Sequence, residues 1–576
     1  MLQQLLHTII ISCICIAWGV PAYALLIKGN AEAEKHFGGP FRLITVFFAG
    51  LLTLSLLSSW AMLFTPLQFK YLLIATGILV IFSFFFRARF QSIISFPKLS
   101  LGRYSIVLVF GIVCILLFLF LGALKPVNLD THIYHLQIIR WTNEYGAVPG
   151  IANIYPRFGL GSNWFNLVSA FYIPAFSHQN FTFLNTTICI WFLLWLLSKW
   201  QVHFVNGKEN KRHQAFAFFY FLLITYFLYD WQLFRDTANS TSYDFVVTAL
   251  TLMVISYLAE SLFINQPRAY SFFFVVLVIS IIPFKLSGIF VLILLFIYLL
   301  QYKHAKHWIM AIIAGIVIIS PLLIKNYITT GYPLYPMSIS IGNPGWQLPL
   351  EMTRKMNDYI MTGNKFYNYT TSFADQQNLT TFNWIPFWIN GILLRHKIIL
   401  LLALLSVFLF FYNPAKEISH KRINILMASI WLMIAGWFFT APDPRFAFAI
   451  ILFLAFFPVC LLFGSYVNKK IYQSLLLVFT IAILAYGIIK ARDKVDMGIV
   501  LHCQSVDQPE YKTESRNGIE IHNTRINNNW LCPCIFTLLP CMGEDNPYVK
   551  PRTEMISDGF YMDPIPDSTF IRNYNY

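Results

Sequence analysis

Between Val127 and Trp141 the chain reads VNLDTHIYHLQIIRW, which sets Asp130, His132, Tyr134, His135 and Arg140 within eleven residues. A carboxylate placed within hydrogen-bond reach of a hydroxyl can act as its base. A guanidinium or ammonium aimed at a leaving phosphate can hold the charge that develops there. More such groups follow. YPRFGLGSNWF carries Arg157, FRDTANSTSYDF carries Arg235, Asp236 and Asp244, and PFKLSG carries Lys285. IKNYITTGYP carries Lys325 and Asn326, and TAPDPRFAF carries Asp443 and Arg445. Acids beside several cations suit a reaction on a lipid-linked phosphate. Each group also has a plain structural reading. Asp130 fits a helix N-cap, Arg140 stands one turn before Glu144 and fits an ion pair with it, and lone lysines can snorkel to an interface.

The elements that hold these groups are apolar. Of 576 residues, 57% are hydrophobic and 12% charged, about half the charge of a soluble domain, and the mean hydropathy is +0.61. Apolar runs lie near 5–27, 43–64, 70–86, 104–124, 181–200, 215–231, 241–264, 270–283, 286–302, 308–325, 398–412, 421–440, 446–464 and 471–489. Runs of this length predict an all-α polytopic membrane protein of about 13–14 segments. The first lacks the basic start and cleavage site of a signal peptide, so it is expected to be a retained helix. The net charge of +15 does not point to nucleic acid, because the basic residues sit in short loops between apolar runs. Those loops hold Arg87, Arg89, Lys98 and Arg103, then Lys208, Lys211 and Arg212, then Lys303 and Lys306, Lys416, Lys421 and Arg422, and Lys469 and Lys470. The positive-inside rule places them in the cytoplasm, with both termini outside.

All the candidate site residues then emerge on the outer side. Residues 131–145 read as one amphipathic interfacial helix, with Asp130, Tyr134, Gln137, Trp141 and Glu144 on one face and Ile133, Leu136 and Ile139 toward lipid or protein. The 270–283 and 286–302 pair reads as a hairpin with Lys285 at its tip. Lysine amid so many apolar neighbours needs a partner or a polar cavity. The tail from about 490 reads as a small loop-rich or β-containing module outside the membrane. Of nine cysteines, Cys13, Cys15, Cys114, Cys189 and Cys460 are apolar fillers, and Cys503, Cys532, Cys534 and Cys541 lie in the tail. An oxidising compartment favours disulfides there. Cys503 is expected to pair within the 532–541 cluster, and a short loop to close onto Cys541; a zinc site on these thiols is the less favoured alternative.

In order and sidedness these motifs resemble the GT-C superfamily of membrane glycosyltransferases, near its protein mannosyltransferase and lipid A aminoarabinose transferase branch. The resemblance covers roughly 100–465. It implies residues 1–103 as helices preceding the core, 104–489 as a catalytic core with external loops 125–180 and 326–397, and 490–576 as an extracytoplasmic module. LDTHIYHLQIIRW matches the acid and interfacial helix that open the first external loop, which makes Asp130 the base. YDFVVTAL carries the second acid to Asp244, SIIPFKLSG carries a lipid-phosphate ligand to Lys285, and APDPRFAF carries an external arginine to Arg445. Arg140 matches a helix cation less closely. Tyr134, His135, Arg157 and Lys325 complete the expected substrate-binding set. The sequence departs from the branch in three ways: extra spans precede the core, the Lys-Pro-Pro element is missing, and the loop has Asp-Thr-His where an acidic pair is common.

The implied reaction is inverting transfer of a sugar from a polyprenyl-phosphate donor to a lipid, glycan or protein acceptor, on the outer face of the inner or plasma membrane. No cofactor is required. A divalent metal on Asp130, His132 and His135 is the less favoured arrangement. Tyr134, Trp141, Tyr155 and Trp164 are candidates to stack on sugar or to anchor in the interface. Two other classes fit the composition: a polysaccharide polymerase or ligase of another fold, and a non-enzymatic transporter or scaffold. The first should carry an arginine-rich late loop, and 326–397 has few arginines. The second should show polar residues at the midplane of two related halves.

Overall fold

The computed structural model describes residues 1–27, 42–85, 105–174, 181–207, 210–230, 237–264, 270–302, 304–366, 382–411, 420–464, 469–492, 498–504, 508–524, 534–535, 537–543 and 545–574. Arg235, Asp236 and Cys532 lie outside them, as do Arg87, Arg89, Lys98, Arg103, Lys208, Lys303 and Lys416 of the basic loops. Four helices come first: α1 (Leu2–Leu26), α2 (Arg42–Ala61), α3 (Phe69–Phe85) and α4 (Ser105–Ala123). Two short ones follow, α5 (Leu136–Glu144) and α6 (Asn163–Ala170). Then come α7 (Phe183–Asn206), α8 (Lys211–Tyr229), α9 (Asp244–Phe263), α10 (Phe272–Ile281), α11 (Leu292–Leu300) and α12 (Ala305–Thr330). After them run α13 (Leu350–Phe366), α14 (Ile385–Gly391), α15 (Leu394–Leu405), α16 (His420–Thr440), α17 (Phe448–Phe463), α18 (Lys469–Arg492), α19 (Gly498–Leu501) and α20 (Ser568–Asn573).

Every apolar run read from the sequence coincides with helix. Among the described residues six helices are long and apolar enough to cross a membrane: α1, α2, α7, α9, α12 and α16. The chain is a helical membrane protein. At its centre stands α9, buried from Phe245 through Phe263. The N-terminal helices pack into the same bundle, with Phe47 stacked on Trp191 at 4.3 Å and His7 on Phe183 at 4.9 Å.

The tail contains the expected strands. β1 (Lys512–Arg516) pairs antiparallel with β2 (Ile519–Asn523), which pairs parallel with β3 (Cys541–Met542). β4 (Val549–Pro551) and β5 (Phe560–Met562) form a separate antiparallel pair. A disulfide joins Cys534 to Cys541 and closes the short loop expected there. The expected bridge from Cys503 is not formed. Cys503 is a free thiol beside the start of α1, its N–H donating to Gln3 Oε1 at 2.8 Å and its Sγ facing Gln4 Oε1 at 3.5 Å.

This module docks on the segment that follows α4. Phe560 N–H donates to Pro149 O at 3.0 Å. Such backbone-to-backbone approach requires glycine: Gly559 has φ +95°, and a Cβ there would fall 1.9 Å from Pro149 O. Asn153 Nδ2 ties the seam, donating to Trp346 O at 2.9 Å and Phe560 O at 3.2 Å.

The single interfacial helix expected over 131–145 is instead a π-helical turn, Thr131–His135, followed by α5. The wider turn shifts the register, so the predicted polar face splits. Gln137 Nε2 donates to Ile535 O of the module at 2.8 Å, and Trp141, 2% exposed, meets Phe560. Leu136 and Ile139 are buried in protein. The helix is covered by protein where an interfacial one was expected.

Ser338 is exposed just after Tyr335 at one end of the bundle, and Lys211 is exposed at the other, near the lower end of α9. An impermeant thiol reagent on intact cells should label Ser338→Cys and reach Lys211→Cys only after lysis. The reverse pattern would invert the outside assignment made from the basic loops.

Candidate active site

Four connections converge at the upper end of α9. Asp130 precedes the π-helical turn, but its side chain caps nothing; Asn128 Oδ1 accepts from Thr131 N–H at 3.1 Å in its place. The Asp130 carboxylate faces Arg157 Nη1 at 3.5 Å and Arg445 Nη1 at 3.9 Å. The N-cap reading of Asp130 is thus set aside, because the capping role is filled two residues earlier.

Arg157 sits on a 3-10 turn, Pro156–Gly159. Its Nη2 donates to Tyr359 Oη at 2.8 Å, and its guanidinium lies over the rings of Tyr359 and Tyr134 at 5.1 and 5.7 Å. Asp244 opens α9 and holds Lys285 Nζ at 2.5 Å. Lys285 lies in extended backbone between α10 and the turn Leu286–Val291, over the Phe446 ring. Asp443 caps the turn Pro444–Phe446 and pairs with Arg445 Nε at 2.8 Å, while Asp244 Oδ2 lies 4.0 Å from the same atom. Three carboxylates and three cations therefore share one cluster.

The cluster borders a cavity of about 250 Å³ whose lining includes Tyr134, Tyr243, Tyr335, Tyr359, Phe284 and Phe446. Aromatic walls around convergent charges are the usual make-up of a small-molecule site. Residues 1–452 match the family described as "Domain of unknown function (DUF8201)". The chain belongs to that family. No curated protein and no solved structure matches it. Every cavity-lining residue lies within the matched span.

Of the residues singled out from the sequence, Asp130, Tyr134, His135, Arg157, Asp244, Lys285 and Arg445 line this cavity. Arg140 does not. It pairs with Glu144 at 3.0 Å and donates to Thr537 O of the tail module at 2.5 Å, because α5 turns that face toward the module. Lys325 is buried behind the wall, donating to Asn166 Oδ1 at 2.8 Å. Trp141, Tyr155 and Trp164 are buried in the core and are not among the residues lining this cavity. The imidazoles turn to different partners, His132 Nε2 to Pro126 O at 3.0 Å and His135 Nδ1 to Thr241 Oγ1 at 3.2 Å, so they do not converge with Asp130 on one point. Tyr359 and Tyr243 carried no sequence signal of their own. Tyr359 was one aromatic on an amphipathic stretch, and Tyr243 was visible only as the neighbour of Asp244.

Burial pushes the Lys285 ammonium below the usual lysine range, against the pull of Asp244. Burial likewise raises the Tyr134 phenol, with Tyr243 and Asp130 adding to the shift. Burial lowers His135 from 6.5 to about 4, Asp130 and Asp244 pulling it up and Arg445 and Arg157 down. His135 is therefore neutral through the physiological range.

A histidine whose pKa is lower folded than unfolded binds more protons when unfolded, so stability rises with pH between the two values. His135 should contribute its full share above pH 6.5 and lose it as pH falls toward 4, a difference of about 3 kcal/mol. Thermal unfolding in detergent at pH 7.5 and pH 5 should show a smaller acid-side loss for His135→Gln than for wild type. Equal losses would show that this imidazole does not set the acid sensitivity.

Proposed function

We propose that the chain is an inverting membrane glycosyltransferase that takes a sugar from a polyprenyl-phosphate donor. The observation that carries this is the placement of Asp130: a carboxylate that caps no helix, set between Arg157 and Arg445 at an aromatic-walled cavity that also holds Lys285 and Asp244. The acceptor hydroxyl, on a lipid, glycan or protein, gives its proton to Asp130 as its oxygen bonds to the anomeric carbon. The bond from that carbon to the phosphate oxygen breaks, and the phosphate leaves with the electron pair. Lys285 and Arg445 meet the new negative charge, which preorganised cations stabilise as it develops. Asp244 orients Lys285.

Lys285 and Arg445 are the groups placed to meet the phosphate, so the reaction is written without a metal. A narrow apolar crevice between α9, α16 and α17, lined by Gly288, Phe290, Trp437 and Phe446, adjoins Lys285 and suits a prenyl chain with its phosphate at that lysine. The shorter apolar helices cross the membrane as well, giving a GT-C-like bundle of about 13–14 segments. The cavity then opens on the outer face of the inner or plasma membrane, which is the side that the positive-inside reading of the sequence supports.

Asp130→Asn keeps size and removes the base. The variant should insert and fold while transfer falls at least about a hundredfold, the scale of a lost general base. Turnover near wild type would sink the assignment. Lys285→Gln should raise the donor concentration needed for half-maximal rate, and Lys285→Arg should restore part of it, since charge returns with different geometry. Identical donor dependence in all three proteins would remove Lys285 from the phosphate.

A further inference from the structure

We propose that Lys355 is a positioning residue that fastens a wall of the cavity to the C-terminal module. The inference concerns the same cavity as the proposed transfer and takes only its activity arm from that reading. The wall is α13, which presents Met356, Tyr359, Ile360, Gly363 and Asn364 to the cavity. Tyr359 is the member that touches the charges. Its hydroxyl accepts from Arg157, and the guanidinium lies over its ring and over that of Tyr134. Arg157 in turn faces Asp130.

One helical turn before Tyr359, the Lys355 ammonium donates to Ile571 O at 2.7 Å and to Tyr574 O at 2.5 Å. These carbonyls lie at and beyond the end of α20. The last carbonyls of a helix have no intrahelical donors, and cations satisfy them well. The acceptors are themselves anchored. Asp567 caps the start of α20, taking Phe570 N–H at 2.7 Å, and the Phe570 ring packs on Tyr548 at 4.9 Å and on Tyr574 at 5.4 Å. Residues at i and i+4 on a helix share a side, so a hold at 355 is transmitted to 359 through one turn of hydrogen-bonded backbone. The route runs from the module through Lys355 and Tyr359 to Arg157 and Asp130. It gives the tail a task in the site, although none of its described side chains lines the cavity.

The test uses full-length Lys355→Met, Lys355→Arg, Asp567→Ala and Tyr359→Phe. Amide exchange over 350–366 should rise about tenfold or more in Lys355→Met, with the rest of the bundle unchanged, since a local fastening governs local opening. Lys355→Arg should restore protection, and Asp567→Ala should loosen 350–366 in the same direction by releasing the acceptors. In the transfer assay Lys355→Met and Tyr359→Phe should each lower the rate, and the double variant should lose no more than the worse single one. Wild-type exchange at 350–366 in both Lys355→Met and Asp567→Ala overturns the proposal. So does a rise spread evenly over the chain, or rate losses that multiply in the double variant. A wild-type protein without transfer from polyprenyl-phosphate sugars would remove the proposed reaction, and the exchange measurements would still decide the fastening.

Discussion

A fully buried helix with a carboxylate at each end is the constraint around which this molecule is arranged. The charged residues of α9 are Asp244 and Glu260. Removing a carboxylate from water costs several kcal/mol, which only well-placed cations and hydrogen bonds offset. The two ends meet that demand differently. At Glu260, Lys199 Nζ lies at 2.8 Å, His203 Nε2 at 3.0 Å, and Tyr220 donates to the same oxygen as His203. Both carboxylate oxygens are occupied, and the cluster ties α7, α8 and α9 together. At Asp244 the cations arrive on connections, Lys285 from one and Arg445 from another, and their other sides face a cavity. The first arrangement holds helices. The second leaves its cations within reach of a ligand.

The balance of charge at the upper end bears on the proposed reaction. Asp130, Asp244 and Asp443 face Arg157, Lys285 and Arg445, so the cluster is formally neutral as it stands. A donor phosphate must compete with carboxylates for Lys285 and Arg445, and it competes better as it gains charge on leaving. In the proposed reaction a proton taken up by Asp130 would neutralise the carboxylate and weaken its attraction for Arg445, 39% exposed and 3.9 Å away. Proton transfer and release of a cation to the phosphate would then be one event. Such coupling is stronger in transition state than in ground state, which is what acceleration needs.

Much of this was legible in the sequence, for reasons that differ by residue. Hydrophobic runs are counted directly, so each of them coincides with helix, whereas α5, α6, α13 and α14 lie outside the runs. Lys285 stood out because an ammonium among Ile, Phe and Leu demands a partner, and Asp244 is that partner. Arg140 misled because helical spacing tells which residues share a face and not what will cover it; the tail module, distant in sequence, took that face. The same blindness hid Tyr359, whose meaning depends on Arg157 two hundred residues away in the chain. Register failed at Thr131–His135 because a π-helical turn leaves no mark on hydrophobic periodicity. Cys503 was drawn to the other tail cysteines by composition, whereas the fold spends it beside Gln3 and Gln4 at the start of α1.

Asp130 is held by its backbone at the start of its helix, while its carboxylate is left largely unengaged. Its backbone is fixed from several directions. Asn128 caps Thr131, and the Thr131 hydroxyl accepts from Thr241 N–H at 3.3 Å. His135 meets the Thr241 hydroxyl, and Gln137 and Arg140 are bonded to carbonyls of the module. Thr241 lies three residues before Asp244, so the two acids of the cavity are held in register through one threonine. The carboxylate of Asp130 takes part in none of these bonds. Its partners are two guanidinium groups at 3.5 and 3.9 Å, distances of charge attraction more than of tight hydrogen bonding. A side chain fixed at its backbone and loosely held at its oxygens can accept a proton without disturbing the fold, which is what the proposed role of Asp130 as base would ask of it.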